Sequence, residues 1–266
     1  MRRSVSSTIV MESERPARVA MLVSVADVAG LAVTESFSVT ADGKQLPHKE
    51  IRGQHGTRIH VVETQVGRVE VAYQASVEGV GEPPAEDPLD LLTYLRPSRY
   101  AESDRLAVVA RSEFAGLEGT ELLRSVASWV GERLLYVSGA SRVVDSAVDT
   151  LLSGQGVCRD FTHLLIALLR ARDMPARMVA VYAPGLKPMD FHAVAEAYVD
   201  GRWLVADATR LAPRRSLLRI ATGQDAADTA FLSAYGGGLR LMDLQVSAVV
   251  DGELPVEDQE ELLSLG

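Results

Sequence analysis

Short alternations of apolar and polar residues fill the first third of the chain, and runs with helical spacing fill the middle. Val19 to Val28, Phe37 to Thr40, Arg58 to Thr64 and Arg68 to Val77 are rich in valine and separated by turn residues, which predicts strands. Val69, Val71 and Tyr73 alternate with Glu70, Ala72 and Gln74, as on a half-exposed sheet. Asp42-Gly43 is a two-residue hairpin turn and Val66-Gly67 a second break. Residues from about 5 to 80 read as a small antiparallel sheet or sandwich. His48, His55 and His60 fall here at spacings that suit neither a helical pair nor a metal cluster, so they read as surface or turn histidines.

Gly79 to Pro88 is rich in glycine, proline and acid, carries no periodicity, and reads as a boundary. Helical spacing begins beyond it, at Leu89 to Leu95 and around Arg105 to Phe114. From Thr120, an acceptable N-cap, Leu122, Leu123, Val126, Trp129, Val130 and Leu134 form an apolar stripe. Ser146 to Leu152 reads as a short helix. The expected division is a β-rich domain over 1–80, a linker over 81–90, a second domain over 91–250 and an acidic tail over 251–266, a solvated helix or tail.

One segment concentrates the chemistry. Gly154-Gln155-Gly156-Val157-Cys158-Arg159-Asp160-Phe161 holds the only cysteine and reads as a loop breaking into a helix. Phe161, Leu164, Leu165, Leu168 and Leu169 mark one buried face, and Cys158 falls near its edge in the first turn. A thiol there sees the positive end of the helix dipole and unpaired backbone N–H groups. Asp160 suits the same end as a cap or dipole partner, whereas Arg170, Arg172 and Pro175 suit the helix end. His163 is the histidine nearest in sequence. Five residues turn about 140° around a helix, which sends it to the polar face with Arg159 and Arg170 and away from the thiol.

A better partner lies downstream. Arg177 to Tyr182 reads as a strand, and His192 to Val199, the turn Asp200-Gly201 and Arg202 to Asp207 read as a hairpin. The two-residue loop pairs Val199 with Arg202, so Tyr198 faces Trp203, Glu196 faces Val205 and Val194 faces Asp207. His192 shares a face with Val194, which makes His192 and Asp207 diagonal neighbours within hydrogen-bonding reach. A one-residue slip would separate them. Cys158, His192 and Asp207 thus form a candidate nucleophile, base and orienting acid. A helix N-terminus supplies about 0.3–1 kcal/mol, too little to ionise a thiol of ordinary pKa about 8.5 at neutral pH, so an imidazolium has to supply the rest. An inert buried cysteine and a satisfied histidine would explain each residue singly, but not the three together.

Composition narrows the setting. The 266 residues carry a net charge of -9, which argues against nucleic-acid and anionic-membrane partners. One cysteine excludes an internal disulfide and a cysteine-rich zinc site, and fits a reducing compartment. The N-terminus has basic residues but no apolar core of a signal peptide, and no run approaches a membrane span, so the expected location is cytoplasmic. No metal or cofactor is implied, because no His, Asp and Glu cluster shows ligand spacing.

The stretches Gly154 to Phe161, Met174-Pro175-Ala176-Arg177, His192-Ala193 and Trp203 through Asp207-Ala208-Thr209 resemble the bacterial transglutaminase-like family of the papain-like cysteine enzyme superfamily. Arg219 to Asp228 and, more loosely, Tyr94 to Tyr100 and the N-terminal strands add to the likeness, which reaches to about residue 250. The resemblance implies an α+β fold in which a helix bearing the nucleophile packs on an antiparallel sheet. It also implies Cys158 as nucleophile, His192 as base and Asp207 as orienter. The Cys158 backbone N–H plus one side chain would form the oxyanion hole. Gln155 is the neighbouring candidate for that side chain, and Trp203 a candidate for the oxyanion hole or cleft. Val194 stands where the family usually has tryptophan, Ala208 where it has proline, and the Tyr182 to His192 connection is short. These departures alter the cleft walls more than the chemistry. The expected activity is that of a cysteine peptidase or amidase on a peptide or protein substrate. A protein transglutaminase with an amine acceptor and a non-catalytic binding module are the alternatives.

Overall fold

The valine alternation of the first third does form strands, although local pattern alone marks only some of them. The computed structural model describes residues 1–236 and 238–266. The chain opens with β1 (Arg2–Ser13), β2 (Ala17–Met21), β3 (Leu31–Ala41), β4 (Lys44–Gln45), β5 (Lys49–Arg52), β6 (Arg58–Thr64) and β7 (Gly67–Gly79). The helices α1 (Pro88–Thr93), α2 (Ser103–Glu113) and α3 (Gly119–Arg133) follow, then β8 (Leu135–Tyr136), α4 (Ala147–Ser153), β9 (Gln155–Gly156) and α5 (Cys158–Arg170). The remainder is β10 (Ala176–Tyr182), β11 (Phe191–Val199), β12 (Arg202–Ala206), β13 (Leu218–Gly223), α6 (Ala226–Thr229), β14 (Leu232–Tyr235) and β15 (Leu239–Val250). The fold is α+β.

Two antiparallel sheets, in the orders β15-β1-β7-β3-β4 and β14-β2-β6-β5, face each other across a core of Ile9, Met11, Val19, Met21, Val62 and Val71. Tyr182, Leu218 and Ile220 of a third sheet, β12-β11-β10-β13, join that same core. The Tyr182 hydroxyl donates to the Val23 carbonyl at 2.7 Å, tying the sandwich to the third sheet. On the opposite face of the third sheet lies α5, whose Leu164, Leu165, Leu168 and Leu169 pack with Ala193, Ala195 and Ala197 of β11 and with Leu122, Val126 and Val130 of α3. Alanine at alternate strand positions lets the helix approach the sheet closely.

Several expectations change. The strand expected over Val19 to Val28 ends at Met21, because the following backbone is taken up by other groups: Val25 N–H donates to the Tyr73 hydroxyl and Ala26 N–H to the Arg219 carbonyl. The sandwich is not closed by residues 1–80. β14 pairs with β2 and β15 with β1 along its length, so strands within the expected 91–250 unit complete the N-terminal sheets. The acidic stretch over 251–266 is not a solvated tail either. Val205 N–H donates to the Leu263 carbonyl at 2.8 Å, Leu265 is buried, and Arg214 binds Glu257 at 2.6 Å. The stretch covers the outer edge of β12, where unpaired backbone groups would otherwise face solvent. Its leucines pack and its Glu257 pairs with Arg214, so both hold it in place.

The histidines of the first third are also more enclosed than expected. His60 is buried, stacks on Phe37 at 3.8 Å and bonds the Ser24 hydroxyl at 2.8 Å. Burial pushes its pKa down to about 4. His55 bonds the Tyr94 hydroxyl at 3.1 Å, and His48 remains exposed.

Under the third sheet lies a buried charge cluster. Glu196 accepts from Arg177 at 2.9 Å and from Arg219 at 2.6 Å, and Arg177 also binds Asp90 at 3.0 Å. The Arg177 guanidinium lies 3.9 Å from the centre of the Trp203 ring. Among the described residues no helix is long and apolar enough to cross a membrane.

Candidate active site

The site begins with how α5 starts. Val157 is extended and precedes the first turn, and its N–H donates to Asp160 Oδ2 at 2.8 Å. Asp160 is therefore the cap expected of an acid in that turn. The Ser141 hydroxyl donates to Asp160 Oδ1 at 2.9 Å, and the Arg159 guanidinium bonds Ser141 Oγ and the Arg142 carbonyl at 2.7 Å, which holds the 137–142 loop against the helix start. Glycine is required at 156, since an added Cβ would lie 2.6 Å from Asp160 Cβ. Gly154, at φ 66°, ends α4 in the left-handed conformation. Cys158 thus stands half-buried at the first position of the helix. The Thr162 hydroxyl, 2.9 Å from the Cys158 carbonyl and 3.0 Å from the Ala193 carbonyl, ties this turn to β11 next to His192.

The hairpin brings the acid to the histidine. Asp200 and Gly201 take φ of 50° and 80°, the positive pair such a tight turn needs, and Val199 pairs with Arg202, Tyr198 with Trp203 and Glu196 with Val205. The ladder ends at Ala195 and Ala206, so Asp207 lies one residue past it. His192 Nε2 and Asp207 Oδ2 are 2.8 Å apart, and both side chains are buried. Asp207 Oδ1 accepts from the Thr209 N–H and hydroxyl at 2.9 and 2.7 Å, so the carboxylate is fixed on both oxygens. Burial alone would push the imidazole pKa down, but the Asp207 carboxylate outweighs it, with a contribution from Cys158, and the ring is pushed up to about 10. Burial opposes the charge on Asp207 as well, and the His192 cation and Thr209 donors still hold its carboxyl below the usual range. His192 Nδ1 has no hydrogen-bonding partner among the described residues. Cys158 is the other neighbouring side chain that raises the ring pKa.

A profile of the Transglutaminase-like superfamily matches residues 111–208, from the end of α2 to one residue past Asp207. The crystal structure of a "putative cysteine protease" from Cytophaga hutchinsonii superposes with a TM-score of 0.88 at 31% identity, covering 98% of this chain and 96% of that one. The chain belongs to the transglutaminase-like superfamily. An uncharacterized protein of Mycobacterium leprae is 27% identical over 161 residues, 57% of this chain and 58% of that protein. One from Mycobacterium bovis is 34% identical over 124 residues, 41% of this chain and 39% of that protein. The matched stretch therefore spans less than two thirds of the length of these curated relatives.

Within this transglutaminase-like core, Cys158 neighbours the His192–Asp207 pair, whereas Trp203 does not join them. The Gln155 side chain is exposed on β9. Trp203 is 1% exposed, enclosed by Arg177, Tyr94 and Tyr198, so it lines no cleft. A tryptophan near an acid in sequence carries no information about which side of the sheet it faces. His163 is indeed not the partner, but its face is not solvated. The ring is fully buried against Tyr100 at 5.3 Å, and its Nε2 accepts from the Ala226 N–H at 3.2 Å. Arg170, on the same face, is buried too, because segments far off in sequence fold over it. Val194 packs with Val179, Val181 and Val205, and Ala208 joins the core around α5, so both departures from the family pattern sit in packed surroundings.

Two residues near the site carried no sequence signal. Tyr136 is brought to the start of α5 by β8, which pairs with β9 so that Leu135 meets Gln155 and Tyr136 meets Gly156. Asp190 precedes β11; burial pushes its pKa up, against the Phe191 amide and the His192 charge. Chemically, the arrangement offers a sulfur at a helix start, a cationic imidazole beside it and a carboxylate fixing that imidazole.

Proposed function

We propose that the protein is a cysteine peptidase or amidase that acts on a peptide or protein substrate through a thioester on Cys158. The observation that carries this reading is the buried His192–Asp207 pair at 2.8 Å, which leaves the other imidazole nitrogen for the cysteine at the helix start. The thiolate attacks the amide carbonyl, the S–C bond forms and the carbonyl electron pair moves to oxygen. As that intermediate collapses, the C–N bond breaks and the amine leaves with the proton from His192. The neutral imidazole then takes a proton from water, the resulting hydroxide cleaves the thioester, and thiolate and imidazolium are restored. Asp207 keeps the ring oriented and stabilises its charge throughout.

Water rather than an amine as acceptor is supported by the likeness to the Cytophaga hutchinsonii protein across nearly the whole chain. A lone working thiol suits a reducing, cytoplasmic setting. The test is a side-by-side assay of peptide hydrolysis and fluorescent-amine incorporation on one set of peptides. Hydrolysis without incorporation, abolished by Cys158→Ala, is the expected result. Incorporation exceeding hydrolysis would make the protein a transglutaminase, and neither activity over a broad peptide set would favour a binding module.

A further inference from the structure

An amide broken at Cys158 gives up its amine at His192, because the imidazole is the group that protonates it. Residues beside that ring therefore meet the leaving half of the substrate. Asp190 is one of them. It precedes β11 and stands two positions ahead of His192, one strand repeat or about 7 Å away. Its Oδ1 accepts from the Phe191 N–H at 2.7 Å, which fixes the carboxylate at the start of the strand. The residue is exposed, and its second oxygen has no donor among the described residues. The carboxylate is thus held in place with one oxygen free.

The cations that frame the start of α5 are engaged elsewhere. Arg142 pairs with Asp145 at 2.7 Å, and Arg159 is taken up by Ser141 and, at 2.7 Å, by the Arg142 carbonyl. His192 itself is held by Asp207 at 2.8 Å. Among the described residues no lysine or arginine pairs with Asp190. Partial burial beside the site pushes its pKa up against the Phe191 amide and the His192 charge, so its ionised form is short of positive neighbours. The separation between imidazole and carboxylate is of the order of an extended arginine side chain. A positive group borne on such a side chain reaches Asp190, whereas one on the atoms next to the scissile nitrogen falls short.

Resting on the function proposed above, we propose that Asp190 is a specificity-determining residue, its free carboxylate oxygen pairing with an arginine or lysine side chain on the leaving side of the scissile amide. The substrate class is then a peptide whose departing half begins with a basic residue. The pair forms as the substrate binds and is released with the amine, so Asp190 governs which amine departs and not the thioester left behind. No bond of Asp190 is made or broken in the reaction.

The same place takes up an amine when the step runs in reverse, which gives an assay that needs no known substrate. Cys158 is acetylated with p-nitrophenyl acetate, nitrophenolate leaves, and the thioester is divided between water and added argininamide or citrullinamide. The two amides are close in shape, and only argininamide carries a side-chain charge. The α-amine attacks the thioester, the C–N bond forms, the C–S bond breaks, and the imidazole, having lost its proton to solvent, takes the proton of the amine. In wild type, argininamide should capture the acetyl group about fivefold faster than citrullinamide at low salt, with the lead shrinking as salt is added. Asp190→Asn should bring the ratio to about one, and Asp190→Glu should restore most of it. Both amides meet the same acetyl-enzyme, so the ratio cancels any general loss at Cys158 or His192. A wild-type ratio near one, a ratio indifferent to salt, or one that persists in Asp190→Asn would overturn the proposal and leave the thioester chemistry standing. So would an acetyl-enzyme that neither amide intercepts. A thiol that the ester never acylates would overturn both readings.

Discussion

Replacing Asp207 with asparagine alters a single oxygen of the site and leaves the rest in place. Asparagine retains an oxygen for the Thr209 N–H and hydroxyl, which now bind Asp207 Oδ1 at 2.9 and 2.7 Å. Its amide, however, presents N–H to His192 Nε2, so the imidazole has to accept there and carry its proton on Nδ1. The charge is lost as well. Burial is the largest influence on His192 and acts downward, and Asp207 is what lifts the ring to about 10. Without the carboxylate, burial outweighs the smaller lift from Cys158, and the ring is expected to be neutral at pH 7 in the variant. The sulfur then lacks a cationic neighbour, and a free cysteine thiol of pKa about 8.5 is only about 1% thiolate at pH 6.5. Lower basicity makes the wild-type thiolate less nucleophilic, so the expected loss in iodoacetamide rate at pH 6.5 is roughly tenfold to hundredfold. The single cysteine simplifies the assay, since every thiol adduct is on Cys158 and peptide mapping separates it from adducts elsewhere. The wild-type rate should be nearly flat from about pH 6 to 8, while the variant's should climb through that range. Peptide hydrolysis should fall by about 10³–10⁴, from the wrong tautomer. A flat profile retained in the variant would refute the claim that Asp207 charges the ring.

Three further outcomes follow from the surroundings. Glu196→Gln leaves the guanidiniums of Arg177 and Arg219 buried without their shared anion, and should cost about 3–5 kcal/mol, read as a lower urea midpoint at unchanged m-value. Gly156→Ala brings a Cβ to 2.6 Å from Asp160 Cβ and displaces the cap on Val157; the expected effect is about 1 kcal/mol of stability and faster proteolysis in the 137–142 loop it helps to hold. The pH limits have opposite signs. Glu196 and Asp207 are held below the usual carboxylate range, so their contribution is present above about pH 4 and lost as pH falls through the depressed values. His192 is raised, so its contribution is full below about pH 6.5 and is lost as pH rises through about 10. Melting temperature should therefore drop on both sides, and Asp207→Asn should remove the His192 part of the alkaline drop.

The legible parts of the molecule are those governed by local rules. The Asp200-Gly201 turn dictates strand register, and the register carries Asp207 to His192 whatever happens elsewhere. The apolar spacing of α5 identifies the face that packs on the sheet and puts Cys158 at its edge. What escaped the sequence depends on contacts between remote segments. His163 and Arg170 look solvated on a helical wheel because the wheel omits the loops, near Arg96 to Tyr100 and near Gln224 to Ala226, that cover them. The leucines after residue 260 are hidden among acids, and only the open edge of β12 explains why they pack. Tyr136 lies 22 positions ahead of Cys158 on a two-residue strand, too short for any periodicity to register.

The pairing of β1 with both β7 and β15 also has a bearing on the order in which the protein can assemble. During synthesis the first strand waits, one edge unpaired, until more than 200 further residues have left the ribosome, because β15 starts at Leu239. The α5 core, with its closer contacts, can collapse well before then. The N-terminal sheet is thus completed late, and a nascent chain halted before β15 would leave both β1 and the β12 edge that residues 251–266 cover open and adhesive.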